Sequence, residues 1–154
     1  SKHIELVINE VSNNISKSIK RNKETIQLIA NNIWIISGGF TQVICPIVKE
    51  YGIKPERVIA NTFLLDSNRV KGIDLNNPMS MDQGKIKAIN NLNINLKSVM
   101  IGDGYTDYEV YHNQASDYFI YYSENILRKE VASKSQFIAN SFEEVLDIIS
   151  KFKS

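Results

Sequence analysis

The sequence predicts an α/β fold in which a parallel β-sheet is covered by helices on both faces. Short apolar runs such as "IWII" (33–36) and "SVMI" (98–101) are typical of strands that are buried on both sides. Segments with apolar residues at helical spacing separate these runs. Strands that alternate with helices indicate parallel pairing, because parallel neighbours need a long crossover connection.

Length and composition describe one ordinary globular domain. The chain has 154 residues, of which 43% are hydrophobic and 23% are charged. Its net charge of +1 gives no reason to expect a nucleic acid or a membrane surface as a partner. Cys45 is the single cysteine, so an internal disulfide is excluded. No apolar stretch approaches membrane-spanning length and no signal peptide pattern opens the chain, so we expect a cytoplasmic location.

The first third of the chain predicts two helices, a strand and a third helix. Apolar residues at helical spacing indicate an amphipathic helix over 4–19, and "KETIQLIANN" (23–32) indicates a shorter one. The strand 33–36 should end at "SGGF". A helix over 41–51 then places Val43, Ile44, Ile47, Val48 and Tyr51 on one face.

A β-hairpin is expected next. "RVIANTFLLD" (57–66) reads as one strand, and the turn-like "SN" leads to a second extended piece, "RVKGID" (69–74). After this hairpin, "GKIKAINNL" (84–92) predicts a short helix.

The last third repeats the alternation of strand and helix. Strands are predicted at 98–101, 118–122 and 136–139, with a helix after the first of them. A final helix begins after Ser141, because Ser141 with Glu144 three residues later forms a capping box.

Small and polar residues follow the strand 33–36. In parallel sheets, binding sites form at the carboxyl ends of strands, where Ser37, Gly38 and Gly39 stand. A hydroxyl and glycine amides at the start of a helix can hold a phosphate. The alternative is a tight turn in which Ser37 caps the helix. A nucleotide-binding module is disfavoured, because the third glycine of a dinucleotide fingerprint is missing.

Two carboxylates follow the strand 98–101. Asp103 comes directly after it, where an unpaired carboxylate could bind a hard cation such as Mg²⁺. Asp107 lies four residues later and could orient the groups that bind the metal without being a ligand itself. The alternative is a glycine-rich turn with Asp107 as an ordinary residue at a helix start.

A lysine precedes this pair in sequence. Lys85 opens the helix 84–92, and lysines on helices usually face solvent. Lys87 is a nearby competitor, but it falls opposite the apolar stripe of that helix. Lys85 is therefore better placed to reach toward the edge of a sheet.

The ordered set "ISGGF" (36–40), "GK" (84–85) and "IGDGYTD" (101–107) resembles motifs two, three and four of the haloacid dehalogenase (HAD) superfamily of phosphatases. Within that superfamily the likeness is closest to phosphoserine phosphatase, and it covers roughly residues 23 to 154. The resemblance implies a Rossmann-like HAD core at 23–154, without its first strand. It makes 1–22 a remnant of the helical cap.

The resemblance assigns roles to residues of all three motifs. Ser37 would hydrogen-bond the transferring phosphoryl group with help from Gly38 and Gly39, and Lys85 would neutralise phosphate charge. Asp103 would bind Mg²⁺ and Asp107 would support the metal site. A substrate contact is implied at Thr106, where many relatives have Asn.

The implied reaction is Mg²⁺-dependent hydrolysis of a phosphomonoester through an aspartyl-phosphate. The implied substrate is phosphoserine or a similar small phosphomonoester, which would suit serine biosynthesis. "IANTFLLD" (59–66) and "NPM" (77–79) are also similar to versions of this domain fused to phosphoglycerate dehydrogenase. We therefore expect fusion to, or association with, such a dehydrogenase domain.

One departure from the family pattern is large. The family's first motif, D-x-D, carries the nucleophile, but residues 1–36 contain no aspartate and the chain has no D-x-D anywhere. The chain also begins with Ser rather than Met. We therefore expect a C-terminal portion of a longer protein, inactive by itself, with its nucleophile upstream. The alternative is a non-catalytic HAD-like domain that binds phosphate or has a regulatory role.

Overall fold

The computed structural model describes residues 2–152, which contain eight α-helices and seven strands. The helices are α1 (Lys2–Asn13), α2 (Lys17–Arg21), α3 (Lys23–Ile29), α4 (Thr41–Lys49), α5 (Gly84–Asn91), α6 (Tyr105–His112), α7 (Lys129–Ala132) and α8 (Phe142–Ser150). The strands are β1 (Ile35–Phe40), β2 (Val58–Asn61), β3 (Phe63–Asp66), β4 (Arg69–Ile73), β5 (Val99–Gly102), β6 (Tyr118–Tyr122) and β7 (Phe137–Ala139). Mixed helices and parallel strands confirm the predicted α/β class.

The chain forms two compact units. The first consists of residues 2–15 and Lys23–Gly84, and the second of Ser16–Asn22 and residues 85–152. Neither unit is therefore one continuous stretch of sequence. Within the described part of the chain, none of the helices combines the length and the apolar character that crossing a membrane requires.

The first unit contains a parallel pair and a hairpin. β1 pairs with β2 in parallel, and β3 pairs with β4 antiparallel, as predicted. The hairpin turns at Ser67 and Asn68, whose φ angles of 47° and 64° are those of a tight turn that matches strand twist. The buried apolar residues of the first unit are Ile26, Ala30, Val43, Ile47, Tyr51, Ile53, Val58, Ala60 and Met79.

Two strand predictions in this unit are wrong in their bounds. The first strand does not end before "SGGF" but continues to Phe40, because Phe40 still pairs with Asn61. Its residues are half-buried, apart from the exposed Gly38, rather than buried on both faces. Within 2–152 β1 has only β2 as a strand neighbour. The predicted single strand 57–66 is two strands, β2 and β3, because its halves pair with different partners.

The first predicted helix is also shorter than expected. α1 ends at Asn13, and a separate short helix, α2, follows. The physical reason lies in the second unit, whose polar groups hold the segment Ser16–Asn22. Ser18 is fully buried there, and its N–H donates to Glu124 Oε1 at 2.9 Å.

Ser18 is the centre of a polar cluster in the second unit. Its hydroxyl also bonds the Glu124 carboxylate, accepts from the Phe142 N–H at 2.9 Å and lies 2.8 Å from the Tyr122 hydroxyl. Burial and the hydrogen bond to Glu124 raise the pKa of Tyr122 to about 12. These contacts attach α2 to β6 and to the start of α8.

The second unit contains a sheet in the order β5-β6-β7, and its strands are parallel, as predicted. β6 is central, and Phe119, Ile120 and Tyr121 are completely buried. The final helix starts where its sequence predicts, since Ser141 Oγ accepts from the Glu144 N–H at 3.2 Å. Glu144 reaches back to the N–H of Asn140, at 2.6 Å.

Candidate active site

The first candidate group, Ser37, Gly38 and Gly39, forms a bulge within β1. Ser37 pairs with Ala60 and Phe40 pairs with Asn61, so Gly38 and Gly39 have no pairing partner in β2. Such bulges redirect backbone groups at the rim of a sheet. The residue that precedes α4 as its N-cap is Phe40, so the alternative of Ser37 as a helix cap is wrong.

The peptide between Gly38 and Gly39 is held at both of its polar ends. Its N–H, which belongs to Gly39, donates to Ser37 Oγ at 3.0 Å. Its carbonyl, which belongs to Gly38, accepts from Asn61 Nδ2 at 2.9 Å. Because Ser37 Oγ accepts in this contact, its own proton is left to donate to an incoming anion. A Cβ on Gly38 would meet no described atom within 4 Å, so the bulge faces open space at this residue.

Asn61 was not among the residues that sequence reasoning selected. It is 9% exposed at the end of β2, and among the described residues its Oδ1 has no hydrogen-bond partner. Leaving a buried acceptor unpaired costs about 1–3 kcal/mol. A polar residue at the end of a buried strand was the available signal, but its partner lies 23 residues away.

In the second unit, Lys85 and Asp107 form an ion pair. Lys85 Nζ lies 2.5 Å from Asp107 Oδ1, and the side chains are only 18% and 9% exposed. The other oxygen of Asp107 accepts from the Gly104 N–H at 3.0 Å. Lys87, the competing lysine, is exposed. Asp107 thus fixes the ammonium group of Lys85, which would otherwise sample many rotamers.

The glycines of "GDG" are explained by this ion pair. A Cβ on Gly102 would lie 2.2 Å from Asp107 Oδ2, so the carboxylate occupies the space that a side chain would fill. Gly104 precedes α6 and supplies the N–H that Asp107 accepts. The sequence "GDGYTD" therefore encodes one compact turn that positions Asp107.

Asp103 has a different partner from Asp107. Arg128 Nη1 lies 2.7 Å from Asp103 Oδ2 and also donates to the Asp103 carbonyl at 3.2 Å. The Arg128 backbone is itself fixed, because its N–H donates to the hydroxyl of the buried Tyr121 at 2.6 Å. Sequence reasoning missed Arg128, since nothing local in "NILRKE" indicates a partner 25 residues away.

The acidic residues fit a metal ion only in part. Within 2–152 no group of three His, Cys, Asp or Glu side chains is gathered as a ready metal site. Asp103 fits as one ligand: it is 45% exposed, and its Oδ1 accepts no hydrogen bond from the described residues. Mg²⁺ is commonly held by one or two carboxylates together with waters. Asp107 does not fit as a ligand, because Lys85 and Gly104 engage both of its oxygens.

The candidate residues are therefore gathered in two sets. The first unit brings together Ser37, Gly38 and Gly39. The second brings Lys85 to Asp107, with Asp103 in the turn between β5 and α6. Thr106 is exposed in the first turn of α6.

Known proteins resemble this chain along most of its length. It is 34% identical over 145 residues to the phosphoserine phosphatase of Drosophila melanogaster, covering 90% of this chain and 53% of that protein. It is 37% identical over 127 residues to the chloroplastic phosphoserine phosphatase of Arabidopsis thaliana, covering 79% and 43%. The chain thus spans about half the length of the curated relatives it matches.

A solved structure gives the same result. A phosphoserine phosphohydrolase-like protein from Francisella tularensis superposes with a TM-score of 0.76 at 30% identity, covering 92% of this chain and 68% of that one. The family model for haloacid dehalogenase-like hydrolases matches residues 9–112, more than half of the chain. With the turn around Asp107 and the bulge after Ser37, this match shows that the chain belongs to the haloacid dehalogenase-like hydrolase family.

Proposed function

We propose that this chain is part of a Mg²⁺-dependent phosphoserine phosphatase that hydrolyses its substrate through an aspartyl-phosphate. The observation that carries the proposal is the ion pair of Lys85 with Asp107, for which Gly102 leaves the space. A lysine that is held in place and largely removed from water is suited to stabilising phosphate charge. The phosphoserine phosphatases among the relatives support the choice of substrate.

Each candidate residue has one role in this reaction. Ser37 donates its hydroxyl proton to a phosphoryl oxygen, beside the backbone of Gly38 and Gly39. Lys85 offsets the negative charge of the phosphoryl group, and Asp107 keeps the ammonium group in position. Thr106 contacts the substrate from the first turn of α6.

Asp103 would hold Mg²⁺ through Oδ1, and the ion would polarise the phosphoryl group toward attack. Arg128 occupies Oδ2 and the carbonyl of the same residue, which limits the orientations of the carboxylate. The nucleophile would be an aspartate of a D-x-D motif upstream of residue 1, since this sequence contains no such motif. We further propose that 1–22 derives from a helical cap and 23–154 from the core, with Ser16–Asn22 packed within the second unit.

The setting of the reaction is also part of the proposal. Hydrolysis of phosphoserine would place this enzyme in serine biosynthesis, and we propose a cytoplasmic location for it. Fusion to or association with a phosphoglycerate dehydrogenase domain would place a dehydrogenase and the phosphatase in the same assembly.

Turnover by a protein that includes the upstream segment tests the proposal. We expect Mg²⁺-dependent release of phosphate from phosphoserine, and a loss of about 10²-fold or more in kcat for Asp103→Asn. Asp147→Asn is the matched control, because Asp147 is an exposed carboxylate on α8 that pairs with Lys151. Full activity of Asp103→Asn would contradict the metal assignment.

The missing D-x-D motif favours a second candidate, a HAD-like domain that binds phosphate without turning it over. The coding sequence upstream of Ser1 separates the two. A D-x-D after an apolar strand supports the phosphatase. If no such motif precedes Ser1, the binding domain is the better account.

A further inference from the structure

The Gly38–Gly39 bulge depends on a side chain from the neighbouring strand. Asn61 lies at the end of β2, opposite Phe40 of β1, and donates through Nδ2 to the Gly38 carbonyl. This bond also identifies which side-chain atom is the nitrogen, since a carbonyl oxygen can only accept. We propose that Asn61 is a positioning residue that sets the donor direction of the Ser37 hydroxyl, an inference that rests on the phosphate-binding role proposed for Ser37.

The geometry of a peptide bond carries the effect from Asn61 to Ser37. The carbonyl of Gly38 and the N–H of Gly39 belong to one planar peptide and point in opposite directions. Asn61 fixes the carbonyl end at 2.9 Å, so the N–H end is directed at Ser37 Oγ, which it meets at 3.0 Å. Ser37 Oγ then has one acceptor position filled, which leaves its proton to donate in a direction away from the Gly39 N–H.

Glycines alone cannot provide this order. Two consecutive glycines allow many orientations of the peptide between them. A Cβ on Gly38 would meet no described neighbour within 4 Å, so packing does not restrain the bulge at that position. At Gly38 the restraint therefore comes from the hydrogen bonds of Ser37 and Asn61, whereas Gly39 also lies against the side chain of Ile44.

The amide of Asn61 is used differently from that of another asparagine in the same unit. Asn77 has hydrogen bonds at both ends of its amide. Asn77 donates to the Ala60 carbonyl at 2.8 Å and accepts from the Met79 N–H at 3.0 Å. Asn61 keeps one buried acceptor without a donor among the described residues, while its other atom orders the bulge.

Asn61→Ala tests the inference, with Asn77→Ala as the matched control. Both variants remove an amide that donates to a backbone carbonyl of the same unit. The chain itself is titrated with inorganic phosphate, and the backbone amide resonances of residues 37–39 are followed by NMR. Urea unfolding of each variant is measured in parallel.

We expect Asn61→Ala to weaken phosphate binding by about five- to tenfold, the effect of losing one ordering hydrogen bond. The Gly39 amide should exchange faster with water and move toward a free-amide shift even without phosphate. Its urea midpoint should change less than that of Asn77→Ala, because the unpaired acceptor is removed with the donor. Asn77→Ala should leave the Gly39 amide and the phosphate affinity unchanged within about twofold, because the hydrogen bonds of Asn77 go to Ala60, Thr62 and Met79 and not to residues 37–39.

The inference is overturned if Asn61→Ala leaves both the Gly39 amide and the phosphate affinity as in the natural chain. If the natural chain shows no phosphate-dependent shift at 37–39, the phosphate-binding role of Ser37 fails. The Gly39 amide in the absence of phosphate still decides whether Asn61 orders the bulge. Failure of the inference and failure of the proposed function therefore give different spectra.

Discussion

Gly102 lies directly against the carboxylate of Asp107, so that a Cβ at residue 102 would be 2.2 Å from Asp107 Oδ2. The backbone of Gly102 is not in the left-handed region, since Gly52 is the only described glycine with positive φ. The glycine is therefore required by a close approach of a side chain, not by the turn. Residue 102 controls whether Asp107 can meet both Lys85 and the Gly104 N–H.

Gly102→Ala should therefore separate Asp107 from Lys85. We expect the unfolding free energy to fall by about 1–3 kcal/mol, the usual cost of forcing an extra carbon into a packed site. Urea denaturation measures this change. Gly72→Ala is the control, because a Cβ there would meet no described atom within 4 Å, and its effect should stay within about 0.5 kcal/mol. Equal midpoints for the two variants would show that Asp107 can move aside freely.

The ion pair of Lys85 with Asp107 should be strongly coupled. Asp107→Asn or Lys85→Met alone leaves a largely buried charge without its partner, which we expect to cost about 3 kcal/mol. The double variant should cost clearly less than the sum, and a double-mutant cycle measures the difference. The exposed pair Lys151 with Asp147 should give a coupling below about 1 kcal/mol. Additive costs at Lys85 and Asp107 would contradict the pairing.

Tyr122 should make stability fall at high pH. Burial and the bond to Glu124 raise its pKa from 10.0 to about 12, so the folded chain holds this proton more tightly than the unfolded chain. The resulting stabilisation is complete below about pH 10 and is lost as pH rises toward about 12. The stability difference between the natural chain and Tyr122→Phe, measured in urea, should shrink over that range. A difference that does not vary with pH would contradict the raised pKa.

The regular elements were predictable because their patterns are local. The strands that begin at Val99, Tyr118 and Phe137, and the helix that Ser141 caps, each carry their own apolar run or cap. The run 57–66 was not resolved into two strands, because the break at Thr62 reflects a change of pairing partner. The hydrophobic pattern of a segment does not indicate which other strand it will pair with.

In the candidate site, too, local motifs were predictable and long-range contacts were not. "GDGYTD" and Lys85 could be selected from the sequence, and the contact of Lys85 with Asp107 agrees with the choice of Lys85 over Lys87. The catalytic roles of these residues stay predictions. Asn61 and Arg128 escaped notice, because each acts on a residue more than twenty positions away in sequence. Which residues they contact depends on the fold, and no single segment of the sequence reveals it.

The placement of Ser16–Asn22 in the second unit determines where this protein can be shortened. A chain that starts at residue 23 would retain α8 but lose the buried hydroxyl of Ser18. This hydroxyl accepts a hydrogen bond from the N–H of Phe142, the first residue of α8. Glu124 would at the same time lose both of its contacts to Ser18. For expression and crystallisation, the N-terminal boundary should therefore lie before Ser16, although the core motifs begin only at Ser37.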